Sequence, residues 1–124
     1  MSRMKIKNIE KQRASLLVDI QRIKYMIRGT FVETHRKCGK QNCWCAKQDQ
    51  GHPSYQISWT ENAKSRSRAV SKEDIPWIKD MTGNYRQWRT IKAKMRKLEN
   101  ELRILINQME DDILKKTEKV KKRT

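Results

Sequence analysis

Cys38, Cys43 and Cys45 are the only three cysteines in the chain, and they fall within eight residues of one another in the stretch CGKQNCWCA, with His35 and His52 on either side. Thiolate sulfur and imidazole nitrogen are the donors of tetrahedral zinc, and three cysteines with one histidine form a common closed set. A zinc site built from Cys38, Cys43, Cys45 and His52 is therefore expected. His52 follows a polar loop that ends in Gly51, which lets the chain fold back to close the site. His35 competes for the fourth place, because His35-x-x-Cys38 has the spacing of a zinc knuckle. The longer closure through His52 is favoured. The alternatives are three free thiols, a redox-sensitive pair, or another assembly such as an iron–sulfur centre, since C-x4-C-x-C is not one of the double C-x-x-C patterns. No carboxylate stands beside the cluster as a general base, so the expected role of the metal is structural.

These ligands must be positioned by a small and very basic chain. The chain has 124 residues with 30 Lys and Arg against 14 Asp and Glu, a net charge of +16, and its mean hydropathy is -1.02. That excess points to a polyanionic partner, a nucleic acid, with DNA favoured. The charge is distributed: residues 1–37 carry 10 basic and 3 acidic side chains, residues 38–72 carry 6 and 2, and residues 73–124 carry 14 and 9. No apolar run approaches the roughly 18 residues of a membrane span, and the N-terminus has no apolar leader. An odd cysteine count without a secretion signal points to the reducing cytoplasm.

Two segments carry the alternating three- and four-residue steps of a helical seam. Ile6, Ile9, Leu16, Ile20, Ile23 and Ile27 form the first, with Arg13 as its one polar member. Trp88, Ile91, Met95, Leu98, Leu102, Leu105 and Met109 form the second. Their matching lengths suggest an antiparallel, coiled-coil-like hairpin. Ile104 and Ile106 fall outside the seam and leave apolar surface for a homodimer. Between the seams the period becomes two: Tyr55, Ile57 and Trp59 alternate with polar residues, then Lys64, Arg66 and Arg68 alternate with Ser65, Ser67 and Ala69. This predicts a β-hairpin with three cations on one face. Ser71, Asp74 and Pro76 mark the start of a short helix ending near Gly83.

The stretches IRGTFVETHRKCGKQNCWCA, GHPSYQISW, KSRSRAVSKEDIPWI and NYRQWR, from Met26 to Trp88, resemble a family of small, uncharacterised bacterial proteins. Its members share an arginine-rich approach to CGK-x-x-C-x-C, a following HGP with an aromatic strand, a GK-[ST]-R-S-R strand and a helical C-terminus. They are often encoded near transposase or phage-like genes. The resemblance implies that Cys38, Cys43, Cys45 and His52 form one motif, with His52 and Pro53 matching HGP apart from its glycine. It also implies service to a mobile genetic element. Ala63-Lys64 stands where the family has GK, so the hairpin turn is expected to differ.

The expected fold is α+β in one domain: an N-terminal helix over 1–30, the cysteine cluster and β-hairpin over 31–72, a short helix over 73–83, a long helix over 84–116 and a basic tail over 117–124. The chain lacks the phosphate-loop, nucleophile-elbow and H-E-x-x-H patterns of enzymes, so no catalytic activity is expected. Glu110, Asp111 and Asp112 are consecutive, point in different directions on a helix, and read as a solvated face. The expected function is an accessory protein that neutralises phosphates with Arg36, Lys37, Lys40, Lys47, Lys64, Arg66 and Arg68, while Trp44 stacks on or beside a base. The rival reading is an adaptor that binds a protein partner, such as a recombinase, through the coiled coil.

Overall fold

The computed structural model describes residues 2–48 and 51–123. Met1 and Thr124, the outer bounds of the expected first helix and basic tail, lie outside the described residues. The fold is α+β: helix α1 (Ser2–Gln21), strands β1 (Thr30–Arg36), β2 (His52–Glu61) and β3 (Lys64–Ala69), and helix α2 (Ile75–Arg123). Two compact units are present. One contains α1 and α2 from Trp88 onward, and the other is Tyr25–Gln87.

The first unit is held by the heptad stripes. Ile9, Leu98 and Leu105 are buried together, with Ile6, Leu16 and Leu102 packed against them. Arg13 has a buried Nε with no hydrogen-bond partner among the described residues, as its place in an apolar stripe implies. The stripe runs on to Ile27, but α1 ends at Gln21. Its last turn tightens, with the Arg22 and Ile23 amides donating to Asp19 and Ile20 carbonyls three residues back. Ile27 leaves the helical pattern because its amide donates instead to the Met81 carbonyl of α2, at 3.2 Å. Gly29 follows at φ +130°, where any Cβ would lie 2.7 Å from Ile57 Cγ2. Only glycine lets the chain enter the sheet so close to β2.

The sheet is antiparallel in the order β1-β2-β3. It contains one strand more than the hairpin the alternation predicts, because β1 pairs along β2 from Thr30↔Ser58 to Arg36↔His52. The expected hairpin is present, closing on Asn62 and Ala63 at φ 51° and 64° between the paired Glu61 and Lys64. Two consecutive positive φ values define a type I′ turn, which suits Asn but strains Ala. Ala63→Gly should therefore raise stability by about 1 kcal/mol, read as a higher denaturation midpoint at unchanged slope.

The expected short helix does not stop at Gly83. Residues 75–123 form one helix of 49 residues that also takes in most of the basic tail. Nothing lies within 4 Å of a Cβ built on Gly83. It is a glycine inside a helix, and the contacts around it hold the helix straight through. Thr82 Oγ1 donates to the Ile78 carbonyl at 2.8 Å, and Asn84 Nδ2 donates to the Tyr25 carbonyl at 3.0 Å.

Candidate metal centre

Strand pairing builds this site. β1 ends at Arg36 and β2 begins at its partner His52, so the fifteen intervening residues form a closed loop that starts and ends at one rung of the sheet. Within it the chain makes tight turns: the Cys43 amide donates to the Lys40 carbonyl at 3.2 Å and the Ala46 amide to the Cys43 carbonyl at 3.1 Å. Gly39, just before the first of these turns, is left-handed at φ +84°, a conformation that suits glycine. Gly51 is buried, and a Cβ there would overlap the Arg36 carbonyl and the Lys37 amide. The loop's two ends thus meet backbone against backbone.

The donor atoms of Cys38, Cys43, Cys45 and His52 all lie within 4.8 Å of one another. Cys43 Sγ is 3.0 Å from His52 Nε2, and Cys38 Sγ is 3.5 Å from Cys45 Sγ. Bonds of 2.0–2.3 Å to a tetrahedral ion place such donors about 3.6–3.8 Å apart, so movements of about half an ångström per atom would seat one. The donor set fits a metal in chemistry as well as in distance. Cys45 is fully buried and Cys43 partly so, while Cys38 faces solvent.

Of the two flanking histidines, His52 is the one whose ring nitrogen sits among the sulfurs. His35 lies outside the cluster, with Nδ1 3.4 Å from the Gly51 carbonyl oxygen and Nε2 3.8 Å from Glu33 Oε1. The Lys40 amide, aided by Cys45, holds the Cys38 thiol down to about 6, so that it is mostly thiolate at neutral pH. Cys45 behaves oppositely. The Cys38 amide, 3.5 Å from its sulfur, favours the thiolate, but burial and the neighbouring sulfurs outweigh it and push the thiol above 9.0.

Trp44, on the 3-10 turn Trp44–Lys47, packs edge-on to His52 with ring centroids 4.8 Å apart, yet remains 50% exposed. Arg36, Lys37, Lys40 and Lys47 are all exposed around the cluster. Three thiolates, one neutral imidazole and a divalent ion sum to one negative charge, which these four cations exceed.

Lys64, Arg66 and Arg68 are not part of this group. They lie on the outer strand β3 opposite Glu61, Trp59 and Ile57, from the far end of β2 to its middle. At about 3.3 Å per residue, Arg68 is some 16 Å along the sheet from His52 and Lys64 about 30 Å. Directly paired residues share a face, so these cations share theirs with Glu33 and Glu61, the only acids in the three strands. Glu61 Oε2 accepts from Trp59 Nε1 at 3.4 Å and ion-pairs with Arg66 Nε at 3.4 Å. The row of three free cations expected from the alternation is thus partly neutralised by its own turn. That face also meets α2: Ile57 is buried, and Lys79 Nζ lies 5.3 Å above the Phe31 ring, itself stacked on Tyr55.

The opposite face of the sheet was not anticipated. It carries Thr34, Gln56, Ser58, Ser65 and Ser67, with Arg36 and His52 at the end beside the cysteine cluster. No residue on it is buried, and it contains no acid. The signal for it was the set of polar residues in the alternation, legible only once β1 is recognised. Among the described residues no helix is long and apolar enough to cross a membrane.

No curated protein matches the chain, and no solved structure does. The family model that does match spans residues 6–80, from the first heptad positions of α1 through the cysteine–histidine cluster and all three strands into the start of α2. The chain belongs to the family defined by the domain of unknown function DUF6788.

Proposed function

We propose that this protein is a DNA-binding accessory factor, not an enzyme, whose sheet and metal knuckle form one interface stabilised by a structural zinc ion. Zinc is the metal that a closed set of three thiolates and one imidazole suits best, and four protein donors leave no open position for catalysis. In this reading α1 and α2 pair as an antiparallel, coiled-coil-like hairpin apart from the interface. The service to a mobile genetic element implied by the family resemblance remains part of the proposal.

The observation that carries the reading is the acid-free face of the sheet, bounded by Arg36, Lys37, Lys40 and Lys47 and by the half-exposed Trp44. Three strands about 4.8 Å apart span roughly 10 Å, which fits the B-DNA major groove of about 12 Å. Gln56, Thr34 and Ser58 then offer donors and acceptors to base edges, and the cations of the knuckle meet the flanking phosphates.

Changing Arg36, Lys37, Lys40 and Lys47 together to Gln spares every donor atom of the cluster. It should make the slope of log K against log salt shallower by about 3–4 units, at about 0.9 per phosphate. Changing Lys64, Arg66 and Arg68 to Gln should cost about 2 or less, because Glu61 already pairs with Arg66. The measurement is fluorescence anisotropy on duplex DNA over a salt series, with metal content and circular dichroism of each variant as controls. Two unchanged slopes would transfer the function to protein binding. That second reading has an observation of its own: an apolar groove between α1 and α2 lined by Ile6, Leu102, Ile106, Met109, Ile113 and Leu114.

A further inference from the structure

The three thiols differ in access. Cys38 is exposed, Cys43 is partly buried and Cys45 is fully buried. A reagent arriving from water therefore reaches Cys38 first. Lys37 and Lys40, exposed on either side of it in the chain, supply the electropositive surroundings in which thiolates react.

The sulfur poised to intercept the product is that of Cys45. Cys38 Sγ lies 3.5 Å from Cys45 Sγ, and the Cys38 amide donates to the same sulfur, also at 3.5 Å. Backbone and side chain together thus hold this pair in register. A disulfide of about 2.05 Å requires the two sulfurs to approach by roughly 1.5 Å. Cys45 is fixed in the 3-10 turn Trp44–Lys47, where the Ala46 amide donates to the Cys43 carbonyl and the Gln48 amide to its own. Cys38 has more freedom. It precedes Gly39, and nothing lies within 4 Å of a Cβ built on that glycine. The exposed partner is therefore the one with room to move. Cys43 is engaged elsewhere, with its Sγ 3.0 Å from His52 Nε2.

We propose that Cys38 is an oxidative modification site: a small peroxide oxidises it, Cys45 captures the product as a disulfide, and the knuckle gives up its metal. The Cys38 sulfur attacks one peroxide oxygen, the O–O bond breaks, and the departing hydroxide takes a solvent proton to become water. Cys38 is then a sulfenic acid. The Cys45 sulfur attacks Cys38 Sγ, the S–O bond breaks, and a second hydroxide leaves to become water. Two thiolates have together lost two electrons, and one peroxide has been reduced to two waters. Only Cys43 and His52 then remain as donors, where a closed structural site needs four. The inference rests on the structural-zinc reading and is independent of the nucleic-acid one.

The test uses the full chain, loaded with zinc and treated with near-equimolar hydrogen peroxide. A zinc-binding dye should read release close to one zinc per chain, in step with the loss of two thiols. Peptide mapping should find Cys38 joined to Cys45 and Cys43 still open to alkylation, and a thiol reductant with added zinc should restore the starting state. Cys38→His provides a second arm. It leaves two cysteines and two histidines, another closed zinc set, without the exposed thiol, and should hold zinc through the same dose. The mapping on the unaltered chain does not depend on that variant. A chain that holds no zinc before treatment would sink the metal reading and this proposal with it. Zinc retained while two thiols are lost, a disulfide that contains Cys43, or Cys38→His losing zinc as fast as the unaltered chain would overturn this proposal and leave the metal reading standing.

Discussion

Purified protein should carry close to one zinc per chain, and removing it with a chelator at neutral pH should disorder residues 36–53 and sharply lower the melting temperature. The effect should be large because one ion would tie Cys38, Cys43, Cys45 and His52 to a single centre, and structural zinc binding contributes roughly 10–16 kcal/mol in small domains. Even 3 kcal/mol retained at the level of the folded unit corresponds to roughly 12–24 °C. Cys43→Ser should lose the metal by mass spectrometry. Gly51→Ala should weaken it without touching a ligand, because its Cβ would collide with the backbone at Arg36 and Lys37. The pH dependence has a defined sign, since zinc displaces protons from thiols. Cys38 is ionised above about 6, so it adds proton competition only as the pH falls through that value. Cys45, raised above 9.0, adds it across the whole neutral range, so zinc affinity should keep rising with pH beyond neutrality. Equal melting temperatures with and without chelator would remove the metal from the account.

The second large effect belongs to the helical unit. Leu98, only 7% exposed among Ile9, Leu105 and their neighbours, should cost about 2–5 kcal/mol when truncated to Ala. Arg13 should show the opposite sign. Its buried Nε lacks a partner among the described residues, and Arg13→Leu both removes an unsatisfied donor and adds apolar contact, for a gain of roughly 1 kcal/mol. Urea denaturation of the two variants against the unaltered chain measures both. Two neutral substitutions would mean that the stripes do not form a shared core.

Much of this protein is legible in its residues taken one segment at a time. The candidate donor set follows from three cysteines and a histidine confined to fifteen residues, 38–52. The buried positions Ile9, Leu98 and Leu105 follow from heptad spacing, because a helix turns side chains of that period onto one face. The β2-β3 hairpin follows from its alternation and from a turn that Asn62 favours. Each of these is decided by local geometry or by the chemistry of neighbouring side chains.

Other features depend on which backbone meets which in the folded chain. β1 is hidden in the sequence because Phe31 and Val32 are adjacent apolar residues, one for each face, and break the period of two. Its pairing with β2 then places His52, and not His35, among the sulfurs, since the rung Arg36↔His52 closes the loop. α1 ends at Gln21 although the heptad stripe runs on, and Ile27, beyond that end, bonds through its amide to Met81, far along the chain. Gly83 carries the local signal of a helix end, and contacts on either side of it outweigh the cost of about 1 kcal/mol that one helical glycine imposes. The charge of the sheet is likewise a matter of register. Lys64, Arg66 and Arg68 alternate as the sequence implies, but pairing alone reveals that Glu61 shares their face and that the opposite face has no acid. Side-chain period is a property of one strand, whereas the composition of a face is a property of all the strands that pair to make it.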